Sequence, residues 1–228
     1  MLDDLPSPDE AYAHENAFYL TCSPARIGKL IAHVEFYRQA SHVPGAIVEC
    51  GIFKGASFAR LAVARHLFET EGTRPLVGFD TFGAFPATTF EPDQDPRQRF
   101  IAIAGAESIS VDQLRGVLAH KGCGAHVTLV EGDICETVPA YVAAHPELRI
   151  ALLHVDVDLF EPTDTVMTQL APLVVPGGVI VLDDYGIFPG ATKAIDAWLT
   201  GRPERLRKLP YAMAPSYVVR ARHEAVGP

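Results

Sequence analysis

Apolar and polar residues along the chain change their period repeatedly, which predicts alternating strands and helices. From Gly45 onward, short apolar runs that end in a glycine or an acid alternate with amphipathic stretches of helical spacing. The predicted strands are 46–51, 75–80, 125–133, 149–158 and 177–186, and the predicted helices are 57–72, 111–122, 138–146, 163–174 and 192–201. Such alternation is typical of a mainly parallel sheet with helices on both faces.

The residues before and after this alternating region are also predicted to form regular elements. Residues 24–40 predict a helix that begins after Ser23 as a candidate N-cap, and apolar residues recur along it at helical spacing: Ile27, Leu30, Ile31, Val34 and Tyr37. This helix precedes the first strand, so it is expected to cover the sheet, a substrate cleft or a subunit partner. Residues 205–222 predict two further strands that form a hairpin.

One interval, residues 81–110, breaks the rhythm because it shows no clear helix or strand pattern. Loops of this length inside a compact domain are usually functional or mobile. We therefore expect a lid over a binding site, and a partly disordered surface insertion is the alternative.

The amino-acid composition of the chain disfavours several classes of protein. The chain has 228 residues, 48% of them apolar, enough for one large α/β domain or two small ones. A net charge of −9 argues against a nucleic-acid surface, and the lack of a long apolar run or a secretion signal favours a cytoplasmic protein with no membrane partner. The four cysteines form no C-x-x-C pair, which favours reduced, packed cysteines over a zinc site.

Three predicted strands end in residues that suit a nucleoside-type cofactor beyond the carboxyl edge of a parallel sheet. The stretch VECGIFKGASF (48–58) leads through Gly51 and Gly55 into a helix, which permits close backbone approach and offers free N–H groups. Asp80 suits ribose hydroxyls, and Asp133 suits an adenine amino group. Taken singly, each also fits an ordinary turn or cap.

Two pairs of acids follow the next two apolar strands. In LLHVDVDLFEPT (152–163), Asp156 and Asp158 occupy alternate positions and are expected on one face of the strand, and the pair Asp183–Asp184 ends the following strand. Either pair alone fits solvated caps, but four carboxylates at adjacent strand ends repel one another strongly. We therefore expect a divalent cation such as Mg²⁺ or Ca²⁺ between them.

These motifs follow one another in the order E-C-G-x-x-x-G, G-F-D-T-F, G-D, V-D-x-D-L-F-E-P-T and P-G-G-x-I-x-x-D-D-Y-G. The order resembles that of the macrocin O-methyltransferase family over roughly residues 43 to 200. The resemblance implies a class I, S-adenosylmethionine-dependent enzyme with a divalent metal. It also implies a Rossmann-like α/β fold: a mainly parallel sheet of about seven strands, helices on both faces and a C-terminal antiparallel hairpin.

The resemblance implies roles for individual residues. Asp80 would hold the ribose of S-adenosylmethionine and Asp133 its adenine, and five residues would line the methionine and ribose side: Glu49, Gly51, Lys54, Gly55 and Ser57. The Mg²⁺ ion, or Mn²⁺ in its place, would be bound by Asp156, Asp183 and Asp184. Asp158, or the metal ligand Asp156, would take the proton from the acceptor.

The resemblance also divides the chain into an N-terminal helical region (1–42), which would cap the substrate or form a dimer contact, and a methyltransferase domain (43–228) with the lid insertion (81–110). Val157 stands where glycine is common in the family, a departure that bears on the acceptor rather than on the chemistry. His154 is expected to be a satisfied core histidine rather than a cleft residue.

Together these features predict a Mg²⁺-dependent O-methyltransferase that acts on a hydroxyl of a sugar or glycosylated metabolite. The cation would chelate two adjacent acceptor oxygens and lower the pKa of one hydroxyl. A metal-dependent glycosyltransferase using the Asp-x-Asp, a nicotinamide oxidoreductase and a non-catalytic cofactor-binding subunit remain alternatives. The expected partner is a small-molecule acceptor, and a homodimer is compatible with the N-terminal helix.

Overall fold

Seven strands form one mixed sheet in the computed structural model, which describes residues 5–70, 72–212 and 214–221. The strands are β1 (Ala46–Cys50), β2 (Leu76–Asp80), β3 (Val127–Glu131), β4 (Ile150–Val155), β5 (Val174–Leu182), β6 (Arg207–Lys208) and β7 (Ser216–Val219). Their order is β3-β2-β1-β4-β5-β7-β6. β1 to β5 are parallel, and β7 pairs antiparallel with β5 and β6. The predicted parallel sheet and C-terminal hairpin are thus confirmed, although Met213 and Arg222 of the hairpin prediction lie outside the described residues.

Eight α-helices accompany the sheet within the described residues. They are α1 (Ala11–Thr21), α2 (Pro24–Ala40), α3 (Ala56–Phe68), α4 (Glu91–Ala104), α5 (Val111–His120), α6 (Ile134–Ala144), α7 (Phe160–Gln169) and α8 (Pro189–Leu199). Of the described helices, none has the length and apolar character needed to cross a bilayer.

The core consists of two apolar layers, one on each face of the sheet. One layer contains residues of α2, α3 and α5, such as Phe36, Phe58 and Leu114. The other contains residues of α6, α7 and α8, such as Val166 and Ile195. β1, β2 and β4 are buried at every position, which explains why they read as continuous apolar runs rather than alternating ones.

The predicted bounds of the helix 24–40 are confirmed by α2, but the apolar stripe read from its sequence is only partly buried. The buried residues of α2 are Gly28, Ala32, His33, Phe36, Tyr37 and Ala40. Ile31, which belongs to the predicted apolar stripe, is instead 46% exposed. Tyr37 of the stripe is buried together with the small residues Gly28 and Ala32, and Gly28 faces Tyr211 in the connection between β6 and β7.

The interval 81–110 contains the 14-residue helix α4, so the expectation that it has no regular element is wrong. Pro92 lies in the first turn of α4, where a proline has no hydrogen bond to lose. Pro96 lies inside the helix, and sequence reasoning takes such a residue as a helix breaker.

A single buried acid fastens α4 to the body of the protein. Asp93 has no exposed surface. Its two carboxylate oxygens accept hydrogen bonds from Phe160 N (2.9 Å) and Gly190 N (2.7 Å), which lie in the first turns of α7 and α8. A Cβ on Gly190 would lie 1.9 Å from the Asp93 carboxylate, so glycine is needed at this position.

Candidate active site

The carboxyl ends of all five parallel strands open into one cavity of about 570 Å³. The loops that follow β1 to β5 contribute, in that order, Gly51, Asp80, Asp133, Asp156 and Asp183 to its wall. This is where ligands bind in open parallel sheets, and the volume is that of a typical small-molecule site. The structure therefore brings these five predicted site residues together.

Asp80 organises the glycine loop. Its carboxylate accepts hydrogen bonds from Ile52 N (2.7 Å), Phe53 N (3.0 Å) and Phe82 N (2.7 Å). These three bonds fix the backbone after β1 and after β2, which is the turn-capping role that the sequence left open. Asp80 also lines the cavity, and its contact with a ribose stays a prediction.

The two glycines of the first motif have different surroundings. Gly51 has a φ of +87°, and a Cβ there would lie 1.7 Å from the carbonyl oxygen of Asp156. The glycine loop therefore packs directly on the loop after β4. Gly55, which precedes α3, faces Leu114 and Ile109 of the core and is not part of the cavity wall.

Two more predicted cofactor residues, Lys54 and Ser57, line the cavity together with Asp133. Lys54 Nζ donates a hydrogen bond to Ala104 O (2.6 Å), which connects the glycine loop to the end of α4. Asp133 is the N-cap of α6 and accepts a hydrogen bond from Cys135 N (2.8 Å). The structure thus places these side chains at the cavity, while their contacts with S-adenosylmethionine stay a prediction.

The first acid pair lies in a loop rather than on the strand, which corrects the expectation of alternate strand positions: β4 ends one residue before Asp156. Asp158 has a φ of +61° and is the centre of a tight turn closed by Leu159 N and Val157 O (2.6 Å). Positive φ is rare and strained for a residue other than glycine. The turn brings the Asp158 backbone N–H to Asp184 Oδ2 (2.9 Å), which joins the two acid pairs.

Asp156, Asp158 and Asp184 form an acid cluster whose carboxylate oxygens lie within 4.8 Å of one another. Burial and the charge of Asp156 raise the pKa of Asp158 to about 8. Burial and the charge of Asp183 raise the pKa of Asp156 to about 6, and burial together with Asp158 raises that of Asp184. A hard divalent cation with oxygen ligands would remove this repulsion.

Asp183 was predicted as a metal ligand with Asp156 and Asp184, but the structure gives it different partners. Lys29 Nζ lies 2.6 Å from Asp183 Oδ2 and 3.5 Å from Asp156 Oδ2. His154 Nε2 lies 3.6 Å from Asp183 Oδ1. Burial would raise the pKa of Asp183, but His154 and Lys29 outweigh burial and lower it. Asp158 takes the place of Asp183 in the closest group of acids, and metal binding by any of these residues stays a prediction.

His154 is a buried, paired histidine, as expected from the sequence. Its Nδ1 lies 3.0 Å from Glu49 Oε1. Burial would lower the pKa of His154, but Asp183 and Glu49 raise it to about 10. Glu49 itself is fully buried and is not part of the cavity wall, so its predicted contact with the cofactor finds no support in this geometry.

Sequence reasoning predicted Lys54 but missed three other basic residues of the cavity wall, Arg26, Lys29 and Arg60. Arg26, Lys29 and the buried His33 are three and four residues apart on α2, a polar stripe at helical spacing. The side of α2 that faces the cavity could have been predicted from this polar stripe. The prediction followed the apolar residues of the helix instead.

Comparison with known proteins identifies the family. A sequence profile of the macrocin O-methyltransferase (TylF) family matches residues 17–205. The chain belongs to this family. The fold agrees, since this TylF-family chain superposes on the calicheamicin methyltransferase CalS11 with a TM-score of 0.78 and 31% identity, over 93% of this chain and 86% of that one. The O-methyltransferase NovP, at 21% identity and a TM-score of 0.73 over 85% and 80% of the two chains, shares the fold.

Two relatives of this chain are named as O-methyltransferases with stated substrates. One is the 8-demethyl-8-(2,3-dimethoxy-alpha-L-rhamnosyl)-tetracenomycin-C 4'-O-methyltransferase of Streptomyces olivaceus, 28% identical over 65% of this chain and 56% of its own length. The other is the mycinamicin III 3''-O-methyltransferase of Micromonospora griseorubida, 26% identical over 67% and 59%. The matched region thus spans somewhat more than half the length of these relatives.

Proposed function

We propose that this TylF-family protein is a Mg²⁺-dependent O-methyltransferase that transfers a methyl group from S-adenosylmethionine to a hydroxyl of a sugar or a glycosylated metabolite. The observation that carries the proposal is the shared cavity. It brings the glycine loop and the acids after β2 and β3 to the same space as the acid cluster after β4 and β5.

The residues fit both absent groups. Gly51, Lys54, Ser57, Asp80 and Asp133 would hold the cofactor along the ends of β1 to β3. The acid cluster offers oxygen ligands at the spacing that a hard cation needs, with Asp183 beside it. When bound, S-adenosylmethionine supplies the methyl group and the divalent cation supplies the Lewis acidity that lowers the pKa of the acceptor hydroxyl.

Asp158 is the proposed proton acceptor. It lines the cavity, and the tight turn fixes its backbone against Asp184. Its carboxylate lies beside those of Asp156 and Asp184, so it would be close to an acceptor hydroxyl held by the cation and in a position to take its proton. Asp156, which lies in the same loop, is the second candidate for this role.

The segment 81–110 is the proposed cover of the acceptor side. Phe85 and Phe100 from this segment contribute apolar surface to the cavity. Glu161 in α7 accepts hydrogen bonds from Thr88 Oγ1 (2.9 Å) and Thr89 N (2.8 Å), which hold the first part of the segment in place. An apolar cover would exclude water during methyl transfer. The N-terminal region 1–42 contributes Arg26 and Lys29 to the same cavity and is the other proposed cap.

The class of acceptor rests on the relatives, one of which is named as a methyltransferase of a rhamnosyl-tetracenomycin. Family membership supports methyl transfer over the glycosyl transfer that the Asp-x-Asp motif also allows. The glycines after β1 are spaced G-x-x-x-G (Gly51 and Gly55) rather than G-x-G-x-x-G, which argues against a nicotinamide oxidoreductase.

The test is methyl transfer from labelled S-adenosylmethionine to a panel of rhamnosides and related glycosides, by protein stripped of metal with EDTA and then dialysed. We expect turnover with added Mg²⁺ and its loss without, with restoration on re-addition. Full turnover in the presence of excess chelator would contradict the metal role. Cofactor binding without turnover on any acceptor would favour the non-catalytic subunit instead.

A further inference from the structure

The acid cluster has a basic neighbour that comes from outside the methyltransferase motifs. Lys29 lies on α2, 127 residues before Asp156 and 154 before Asp183 in the chain, yet its ammonium group reaches both carboxylates. Its side chain is only 24% exposed, and that of Asp183 is 9% exposed. The pair is therefore mostly removed from water, where an ion pair is weakly screened.

The position of the Lys29 ammonium group shows which carboxylates it neutralises. Lys29 Nζ contacts one oxygen of Asp183 (2.6 Å) and one of Asp156 (3.5 Å), so it lies between an acid of each pair. Those are two of the three carboxylates that the sequence assigned to the metal. A lysine ammonium and a divalent cation cannot share the same oxygens, because their positive charges would repel one another at contact distance.

We propose that Lys29 is an internal counter-ion of the acid site, which holds Asp156 and Asp183 in the metal-free protein and gives up this position when a divalent cation binds. This inference rests on the metal site of the proposed function. Lys29 is a positioning residue in this role, since it acts on the two carboxylates and not on the reacting atoms.

Two consequences follow. Cation binding must break the Lys29 contacts, so the affinity of the site for metal is lower than its carboxylates alone would give. In the metal-free protein, Lys29 offsets the repulsion among the acids and stabilises the fold. Lys29 belongs to the N-terminal part of α2, so a bound cation and this part of the helix would compete for Asp156 and Asp183.

The experiment measures Mn²⁺ affinity of the full chain by the free-Mn²⁺ electron paramagnetic resonance signal, together with thermal unfolding in EDTA. Lys29→Met keeps the length of the side chain and removes its charge. We expect it to bind Mn²⁺ about tenfold more tightly or more, because a charged hydrogen bond no longer has to be broken. We also expect it to melt at a lower temperature in EDTA and to gain more from Mn²⁺ than the wild type.

Two further variants separate this effect from a general change of charge. Arg38→Met removes one positive charge from the exposed far end of the same helix, about 14 Å along its axis, and is expected to leave Mn²⁺ affinity unchanged. Lys29→Arg keeps the charge and is expected to retain weak, wild-type-like affinity, a result that is informative even where Lys29→Met folds poorly.

Equal or weaker Mn²⁺ binding by Lys29→Met, or clearly tighter binding by Lys29→Arg, would overturn the inference. If this happened while the wild type still showed chelator-sensitive methyl transfer, the counter-ion role alone would fail. Absence of Mn²⁺ binding by all variants would remove both the inference and the metal part of the proposed function. If methyl transfer persisted without metal in that case, the methyltransferase function would remain and only its metal dependence would be wrong.

Discussion

Two regions of this molecule contain buried aspartates, and the hydrogen-bond partners and local charge around these carboxylates differ between the two. Asp93 in α4 has both carboxylate oxygens bonded to backbone N–H groups of α7 and α8. The acid cluster brings three carboxylates within 4.8 Å of one another, and among the contacts described for it, one backbone N–H reaches Asp184 and Lys29 reaches Asp156. The helix N-termini around Asp93 offer positive partial charge, whereas the cluster mainly faces its own negative charge.

The contrast separates a structural acid from a functional one. A buried carboxylate with backbone hydrogen bonds to both oxygens, such as that of Asp93, is satisfied within the fold and needs no cation. The acids of the cluster have pKa values raised by burial and by one another, so Lys29 compensates their charge only in part. A site of that kind is a candidate for catalysis or for cation binding.

The largest expected difference between the two regions is in stability. Asp93→Ala leaves two buried N–H groups without acceptors and should lower the free energy of unfolding by about 3 kcal/mol. For a chain of this length that corresponds to a fall in melting temperature of about 10 °C. Differential scanning calorimetry in EDTA measures it.

Asp184→Ala is the matched control, because it also removes a buried carboxylate, in this case from the acid cluster. We expect it to leave the melting temperature in EDTA unchanged or higher, since it removes repulsion, and to abolish the increase caused by Mg²⁺. Similar losses of stability in both variants would show that the two regions do not differ in the way described.

A smaller effect is expected from pH. In the metal-free protein, Asp158 has a pKa raised to about 8 and His154 a pKa raised to about 10, so both hold protons that the unfolded chain releases at lower pH. Stability should therefore fall as pH rises from about 6 to about 8, by roughly 1.4 kcal/mol per pH unit for each proton of difference. Urea unfolding in EDTA at several pH values measures this slope.

The lowered pKa of Asp183 does not oppose this trend, because its stabilising effect is complete well below pH 6 and is lost only in acid. Asp158→Asn should flatten the slope, whereas Asp93→Asn should shift the curve without changing its slope. Saturating Mg²⁺ should also flatten it, since a bound cation favours the ionised acids. A metal-free protein that gained stability from pH 6 to pH 8 would contradict the assignment of raised pKa values.

The sequence predicted the sheet and most strand ends because buried parallel strands read as apolar runs, and their terminal acids stand out against them. It failed where the deciding factor was a distant contact. Because Pro92 and Pro96 are residues that usually interrupt helices, α4 was not predicted. No local sequence pattern indicated that Asp93 would accept hydrogen bonds from the N-termini of two helices. Lys29 was missed because only the apolar residues of α2 were considered, and its partners Asp156 and Asp183 lie more than 120 residues away in the chain.

The same limit applies to the grouping of the acids. The alternation of Asp156 and Asp158 suggested a strand, but the chain leaves the sheet before them and the positive φ of Asp158 directs the loop to Asp184. Backbone turns of this kind depend on the neighbouring strand and carry no periodic signal. The identity of the acids was therefore predictable, and their partners were not.

The central claim is that the acid cluster is a cation site, and diffraction from crystals grown with Mn²⁺ tests it most directly. We predict an anomalous scattering peak bound by Asp156 and Asp184, with Asp158 or Asp183 beside it and the Lys29 ammonium group moved away. A cluster without a peak at saturating Mn²⁺, with Lys29 still between Asp183 and Asp156, would contradict the account.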